Sequence, residues 1–126
     1  MRKKIYKGNI IGILKEFADS NYQNKAWLNA GLKPVMTISF VEAANMLFDD
    51  CVVKDYIQEG EILFDKKVTK ALRELYDATD AVNEFRSEEE IINDPMMETV
   101  RQKAAIALNL IQSSDGSGST VEIIEQ

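Results

Sequence analysis

Apolar residues recur along most of this chain at the three- and four-residue spacing of an amphipathic helix. In the first such segment, one helix face carries Ile10, Ile13, Leu14 and Phe17. A second helix is predicted to begin after Asp19 and Ser20 and to stop at Gly31, because glycine is common just past a helix end. The spacing of apolar positions therefore predicts a helical domain.

Capping residues mark where several of these helices start. Two capping boxes, which satisfy backbone N–H groups at a helix start, are Ser39 with Glu42 and Ser87 with Glu90. Asp65 or Lys66 is predicted to open a long helix that ends near residues 85–86. Asp94 is predicted to cap the last helix, with Pro95 at its first position. Proline is favoured there because the N–H that it lacks would have no partner within the helix.

The end of the chain has a different composition. Residues 113–120 are all serine, glycine, aspartate or threonine, which is typical of a flexible linker. Residues 121–124 then form a short strand, a docking tail or a disordered end. We therefore predict an all-α fold, a compact bundle of about five to seven helices in one domain over residues 1–112, with a flexible Gly/Ser-rich C-terminal tail over residues 113–126.

The composition excludes several kinds of chemistry. The 126 residues hold 15 Lys and Arg, 21 Asp and Glu, no histidine and one cysteine, for a formal net charge of −6. A single cysteine cannot form an internal disulfide, and without histidine no Ser–His–Asp or Cys–His nucleophile can be assembled. Asp49 and Asp50 directly precede Cys51, and their negative charges disfavour a thiolate. We therefore predict that the protein is not an enzyme and holds no cofactor and no metal.

One acidic triplet leaves a metal enzyme open as an alternative. Asp77 and Asp80 fall on one face of the predicted long helix, and Glu84 follows four residues later. Three carboxylates at this spacing could hold a divalent cation. Charged residues on a helix more often form a solvated face, which is the interpretation that we favour.

The distribution of charge disfavours nucleic acid as a partner. Residues 1–33 hold seven Lys and Arg against two acids, whereas residues 34–126 hold eight against nineteen. Most of such a surface repels a phosphate backbone. No run approaches the ~20 apolar residues of a membrane span, so we predict a cytoplasmic protein without a membrane partner.

Acids in the middle of the chain crowd around a few large side chains. The surface predicted to bind a partner consists of Asp49, Asp50, Asp55, Tyr56, Glu59, Glu61 and Asp65. Negative charge around an aromatic anchor speeds the capture of a basic protein and holds it once bound. The alternative is that these acids are only a solvated surface that keeps the protein soluble.

Several short runs resemble a family of small helical bacterial proteins that includes the immunity proteins of contact-dependent growth inhibition systems. The resemblance covers roughly residues 10–112. It rests on residues 18–23, 27–28, 39–42, 47–50 and 91–95, together with the alanine-rich last helix.

The resemblance implies a cytoplasmic protein that binds the toxic C-terminal domain of a CdiA-type effector. By that binding it protects the producing cell and its siblings. Such toxins are often nucleases with basic substrate channels, and the type implied here is an RNase, with EndoU as the candidate. We therefore expect an immunity protein that neutralises its cognate toxin by binding, without catalysis.

A second alternative is a housekeeping interaction or regulatory module that forms a homodimer. On this interpretation, the apolar face of residues 97–111 is the seam between two copies. A mass measurement at micromolar concentration separates a dimer from a monomer.

Overall fold

The structure is a computed structural model that describes residues 3–28 and 39–125. Within these ranges it contains seven α-helices, two of which continue directly into π-helical turns, and two short strands. In chain order the elements are β1 (Lys4–Tyr6), α1 (Lys7–Ala18), α2 (Ser20–Tyr22) with the first π-helical turn (Gln23–Trp27), α3 (Phe40–Asn45) with the second π-helical turn (Met46–Asp50), α4 (Val53–Gln58), α5 (Lys66–Asp80), α6 (Glu88–Ile92), α7 (Pro95–Ser113) and β2 (Glu122–Ile124).

The core is built around the last helix. Helix α7 lies against both α1 and α5. Its inward face is fully buried and consists of Met97, Val100, Ala104, Ala107 and Ile111. At one end of α1, three rings meet edge to face at 6.2–6.3 Å between centroids, those of Phe17, Trp27 and Phe40. The structure is 67% helical, which confirms the predicted all-α class.

The burial of α7 contradicts the dimer seam predicted on its apolar face. Residues 97–111 turn that face towards α1 and α5 of the same chain, so a second copy cannot reach it without opening the core. The apolar side chain that α7 does expose is Ile106, which is 49% exposed. The predicted seam was wrong because an apolar stripe on a helix indicates that this face is buried, but not whether the same chain or a second copy covers it.

The predicted helix starts are confirmed by side-chain hydrogen bonds. The Asp65 carboxylate accepts the Val68 backbone N–H at 2.8 Å. Both halves of the capping box at Ser87 and Glu90 are present. Asp94 caps α7, with Pro95 at its first position.

Of the capping box predicted at Ser39, only the bond made by the Ser39 side chain is present in the described structure, and a distant helix supplies a further bond. The Ser39 hydroxyl accepts the Glu42 backbone N–H at 3.0 Å, as expected. The Phe40 N–H at the same helix start donates to the Glu88 carboxylate at 3.2 Å. A hydrogen bond therefore joins the start of α3 to the start of α6.

Helix α5 ends earlier than predicted. It stops at Asp80, five residues before Phe85. The Asn83 side chain accepts the Phe85 backbone N–H at 3.1 Å, a local bond that competes with helix continuation. Val82 is still buried, so the apolar pattern continues past the end of the helix. The predicted stop of the second helix at Gly31 lies outside the described residues.

The flexible tail predicted at residues 113–126 is not what the described part of this segment shows. Ser113 belongs to α7, and the chain then turns back to pair β2 in parallel with β1. Thr120 exchanges hydrogen bonds with the Ile62 backbone at 2.7 and 2.8 Å, and Val121 is buried in the core. Of the three alternatives for residues 121–124, the structure has the strand.

Candidate partner-binding surface

The first two predicted contact residues lie at the end of the second π-helical turn. Leu47 and Phe48 are buried there, and the Phe48 ring meets Tyr76 edge to face at 4.9 Å. Asp49 and Asp50, the next two residues, are exposed. A π-helical turn is a rare element that often marks a functional site. Here the turn continues α3, and the packing of Leu47 and Phe48 leaves Asp49 and Asp50 facing outward.

A strained residue then redirects the chain into α4. Val52 has φ +61°, a left-handed conformation that β-branched residues rarely adopt. Helix α4 packs against the second π-helical turn and exposes Asp55 in its first turn. None of Asp49, Asp50 and Asp55 is in a salt bridge within the described part of the chain. We call these three residues the acidic face.

Three other predicted contact residues hold the N-terminus instead. Lys3 donates to the carboxylates of Glu59 and Glu61, the latter at 3.3 Å. The Lys3 ammonium also lies 5.7 Å from the centre of the Tyr56 ring. The Tyr56 hydroxyl accepts the Lys4 backbone N–H at 3.2 Å. Hydrogen bonding to Glu59 is the main cause that raises the pKa of Lys3.

The last predicted contact residue is the cap of α5. Besides accepting from Val68, Asp65 offers its backbone carbonyl to both the N–H and the hydroxyl of Thr69. The Thr69 hydroxyl also bonds Leu63, so this corner is fully hydrogen-bonded. Asp65 therefore has a structural role whether or not it touches a partner.

The structure thus divides the seven predicted residues into two groups. The acidic face is exposed and unpaired, whereas Tyr56, Glu59, Glu61 and Asp65 each have an intramolecular role. The residue that the sequence analysis missed is Lys3, which lies more than 50 positions from its partners. The available signal is the opposite charge of the two regions, because the lysines at the start of the chain can pair with the acids that follow residue 58.

Cys51, which directly follows Asp50, is not an activated nucleophile. Burial, with a smaller effect from the charge of Asp50, raises the pKa of the Cys51 thiol to about 11. At neutral pH the thiol is therefore protonated and unreactive.

The acidic triplet considered for a metal site does not assemble. Asp77 and Asp80 lie on α5, but Glu84 follows the end of that helix and does not share its face. Within the described residues, no three His, Cys, Asp or Glu side chains are grouped so that they could hold a metal ion.

Comparisons with known proteins assign no relative to this chain. No family model matches it, and neither the curated proteins nor the solved structures contain a significant match. Over the described residues, the structure has no helix that is both long and apolar enough to cross a membrane.

Proposed function

We propose that this protein is an immunity protein that binds and neutralises a basic protein toxin. The observation that carries the proposal is the acidic face, three exposed carboxylates without an ion-pair partner in the described structure, on two short elements packed against each other. The partner proposed from the sequence resemblance is the C-terminal nuclease domain of a CdiA-type effector. The site of action is then the cytoplasm.

The acidic face suits a partner that must be captured quickly. Unpaired surface charges of one sign raise the association rate with an oppositely charged protein by about 10- to 1000-fold at low salt. Asp49 and Asp50 lie at the end of the second π-helical turn and Asp55 lies in the first turn of α4, so few rotatable backbone bonds need to be fixed on binding. A toxin with a basic substrate channel presents the complementary charge.

The direct test is protection of living cells. The C-terminal domain encoded by the reading frame immediately upstream of this chain's gene is expressed with and without this protein. We expect growth arrest when the domain is expressed alone and normal growth when both are present. Arrest that persists although both proteins are made and soluble would contradict the proposal.

The acidic face is tested by reversing its charge. In D49K/D50K/D55K, we expect association with the toxin domain to slow by about tenfold or more, because attraction becomes repulsion. Wild-type association should slow as salt is added, whereas that of the variant should not. The two rates are measured by stopped-flow mixing at several salt concentrations.

A matched control reverses three exposed carboxylates elsewhere. D80K/E84K/E89K changes the net charge by the same amount at the far end of α5 and the start of α6. If both triple variants slow association equally, only net charge matters and the assignment of the acidic face is wrong.

A further inference from the structure

The first half of α5 carries a group of cations that nothing in the described structure neutralises. These are Lys66, Lys67, Lys70 and Arg73, all of them exposed. None is in a salt bridge within the described residues, although the protein is acidic. Because residues three and four apart share a helix face, Lys66, Lys70 and Arg73 line up. We call these four residues the basic stripe.

Apart from the Asp65 cap, the charges of α5 oppose the dipole of the helix. The positive end of the dipole lies at the helix start, where acids are stabilising and cations are not. Lys66 and Lys67 nevertheless occupy the first turn, and Asp77 and Asp80 occupy the last. Local stability does not explain this order of charges. Sequences break local rules of this kind mostly where a function requires it.

The basic stripe leads into a groove between α4 and α5. The groove has a volume of about 240 Å³ and is lined by Lys54, Ile57, Gln58, Arg73, Tyr76 and Asp77. The Tyr76 ring is held in place by its edge contact with Phe48. Lys54 has no salt bridge in the described structure either, so two cations border an apolar floor of Ile57 and Tyr76.

We infer that α5 binds an acidic segment of a protein, with its acids along the basic stripe and one apolar side chain in the groove. The groove is too small for a large ligand but accommodates one side chain. Asp77 lines the groove and Asp55 lies on α4, one of its two walls, so both repel a polyanion whose charge continues across the groove, as in nucleic acid. A peptide can instead place an uncharged side chain at this point. The basic stripe has the opposite sign to the acidic face, so the acidic segment that it binds is not the basic surface of the proposed toxin.

The probe is a fluorescein-labelled peptide in which one phenylalanine is flanked by glutamates. Its binding to the full chain is measured by fluorescence polarisation at low and high salt. We expect binding that weakens by about tenfold or more between about 50 and 500 mM NaCl, because salt screens exposed charges. A peptide with glycine in place of phenylalanine should bind about fivefold more weakly, because it leaves the groove empty.

Two double variants locate the binding surface. K70E/R73E should weaken peptide binding by about tenfold or more. K15E/K25E changes the net charge equally at two exposed lysines near the N-terminus and should leave most of the binding intact. Circular dichroism confirms that both variants are folded.

Three outcomes would overturn the inference. Equal weakening by both double variants would show that only net charge matters. A single-stranded oligonucleotide that binds more tightly than the peptide, and depends on Lys70 and Arg73, would assign the stripe to nucleic acid. Dimerisation in sedimentation that K70E/R73E abolishes would assign it to a second copy of this chain.

Discussion

At the scale of single residues, Asp65 illustrates how one side chain satisfies two patterns. Because it is one of the acids in the middle of the chain, it was predicted to contact a partner. Because it stands just before a long amphipathic segment, it was also predicted to start a helix. The structure uses it as the cap of α5, where its carboxylate accepts the Val68 N–H and its carbonyl accepts from Thr69. A cap and a contact make different demands, because a cap needs an acceptor oxygen and a salt bridge needs the charge.

Substitutions at Asp65 separate these two demands. D65A removes the acceptor and should lower the free energy of unfolding by about 1 kcal/mol, whereas D65N retains it and should cost little. Urea denaturation of both variants gives the two values. If Asp65 also contacts the toxin, D65N should weaken binding although its stability is retained. Equal destabilisation by D65N and D65A would show that the carboxylate charge, and not the cap, stabilises this position.

At the scale of elements, the starts of helices are the features that could be predicted. A cap is a bond between residues two or three positions apart, so its partners stand together in the sequence, as at Asp94 and Met96. The end of α5 and the pairing of β1 with β2 were missed, because tertiary packing decides them. The three residues of the acidic face are exposed, as both a partner contact and a solvated surface require, but the role of Lys3 depends on a contact across more than 50 residues.

The start of α7 gives an element-scale prediction about acid stability. The backbone N–H of Met96 and the Arg86 guanidinium, at 2.7 and 2.5 Å, hold the pKa of Asp94 below its ordinary value of 3.8. The stability that this provides is present above pH 3.8, where the unfolded chain also ionises, and is lost as the pH falls through the folded pKa.

Asparagine at position 94 keeps the cap and removes this dependence. We expect the wild type to melt at a higher temperature than D94N near neutral pH, with a difference that shrinks as the pH falls below 3.8. R86Q should show part of the same loss in melting temperature, because it removes the bond from the Arg86 guanidinium to the Asp94 carboxylate. Calorimetry from neutral pH to below pH 3.8 measures the melting temperatures of the wild type and both variants. A difference that stays constant down to the lowest pH would exclude the Asp94 charge as its origin.

At the scale of the whole molecule, the first and last described elements of the chain pair with each other. β1 and β2 pair in parallel, with Ile5 opposite Ile123. Lys3, directly before β1, forms a salt bridge with Glu61 in the loop after α4. Thr120, two residues before β2, is hydrogen-bonded to the backbone of Ile62 in the same loop. The loop that follows α4 is therefore hydrogen-bonded to residues beside both strands.

The packing of the tail predicts a cost for shortening Val121, which is 5% exposed. V121A removes two buried carbon atoms and should lower the free energy of unfolding by about 2 kcal/mol, counting the transfer of about 0.8 kcal/mol per carbon and the cavity left behind. I106A removes more apolar atoms from a half-exposed position on α7 and should cost less, because alanine is the better helix former. Denaturant unfolding compares the two variants. Wild-type stability in V121A would contradict the burial of Val121 in the core.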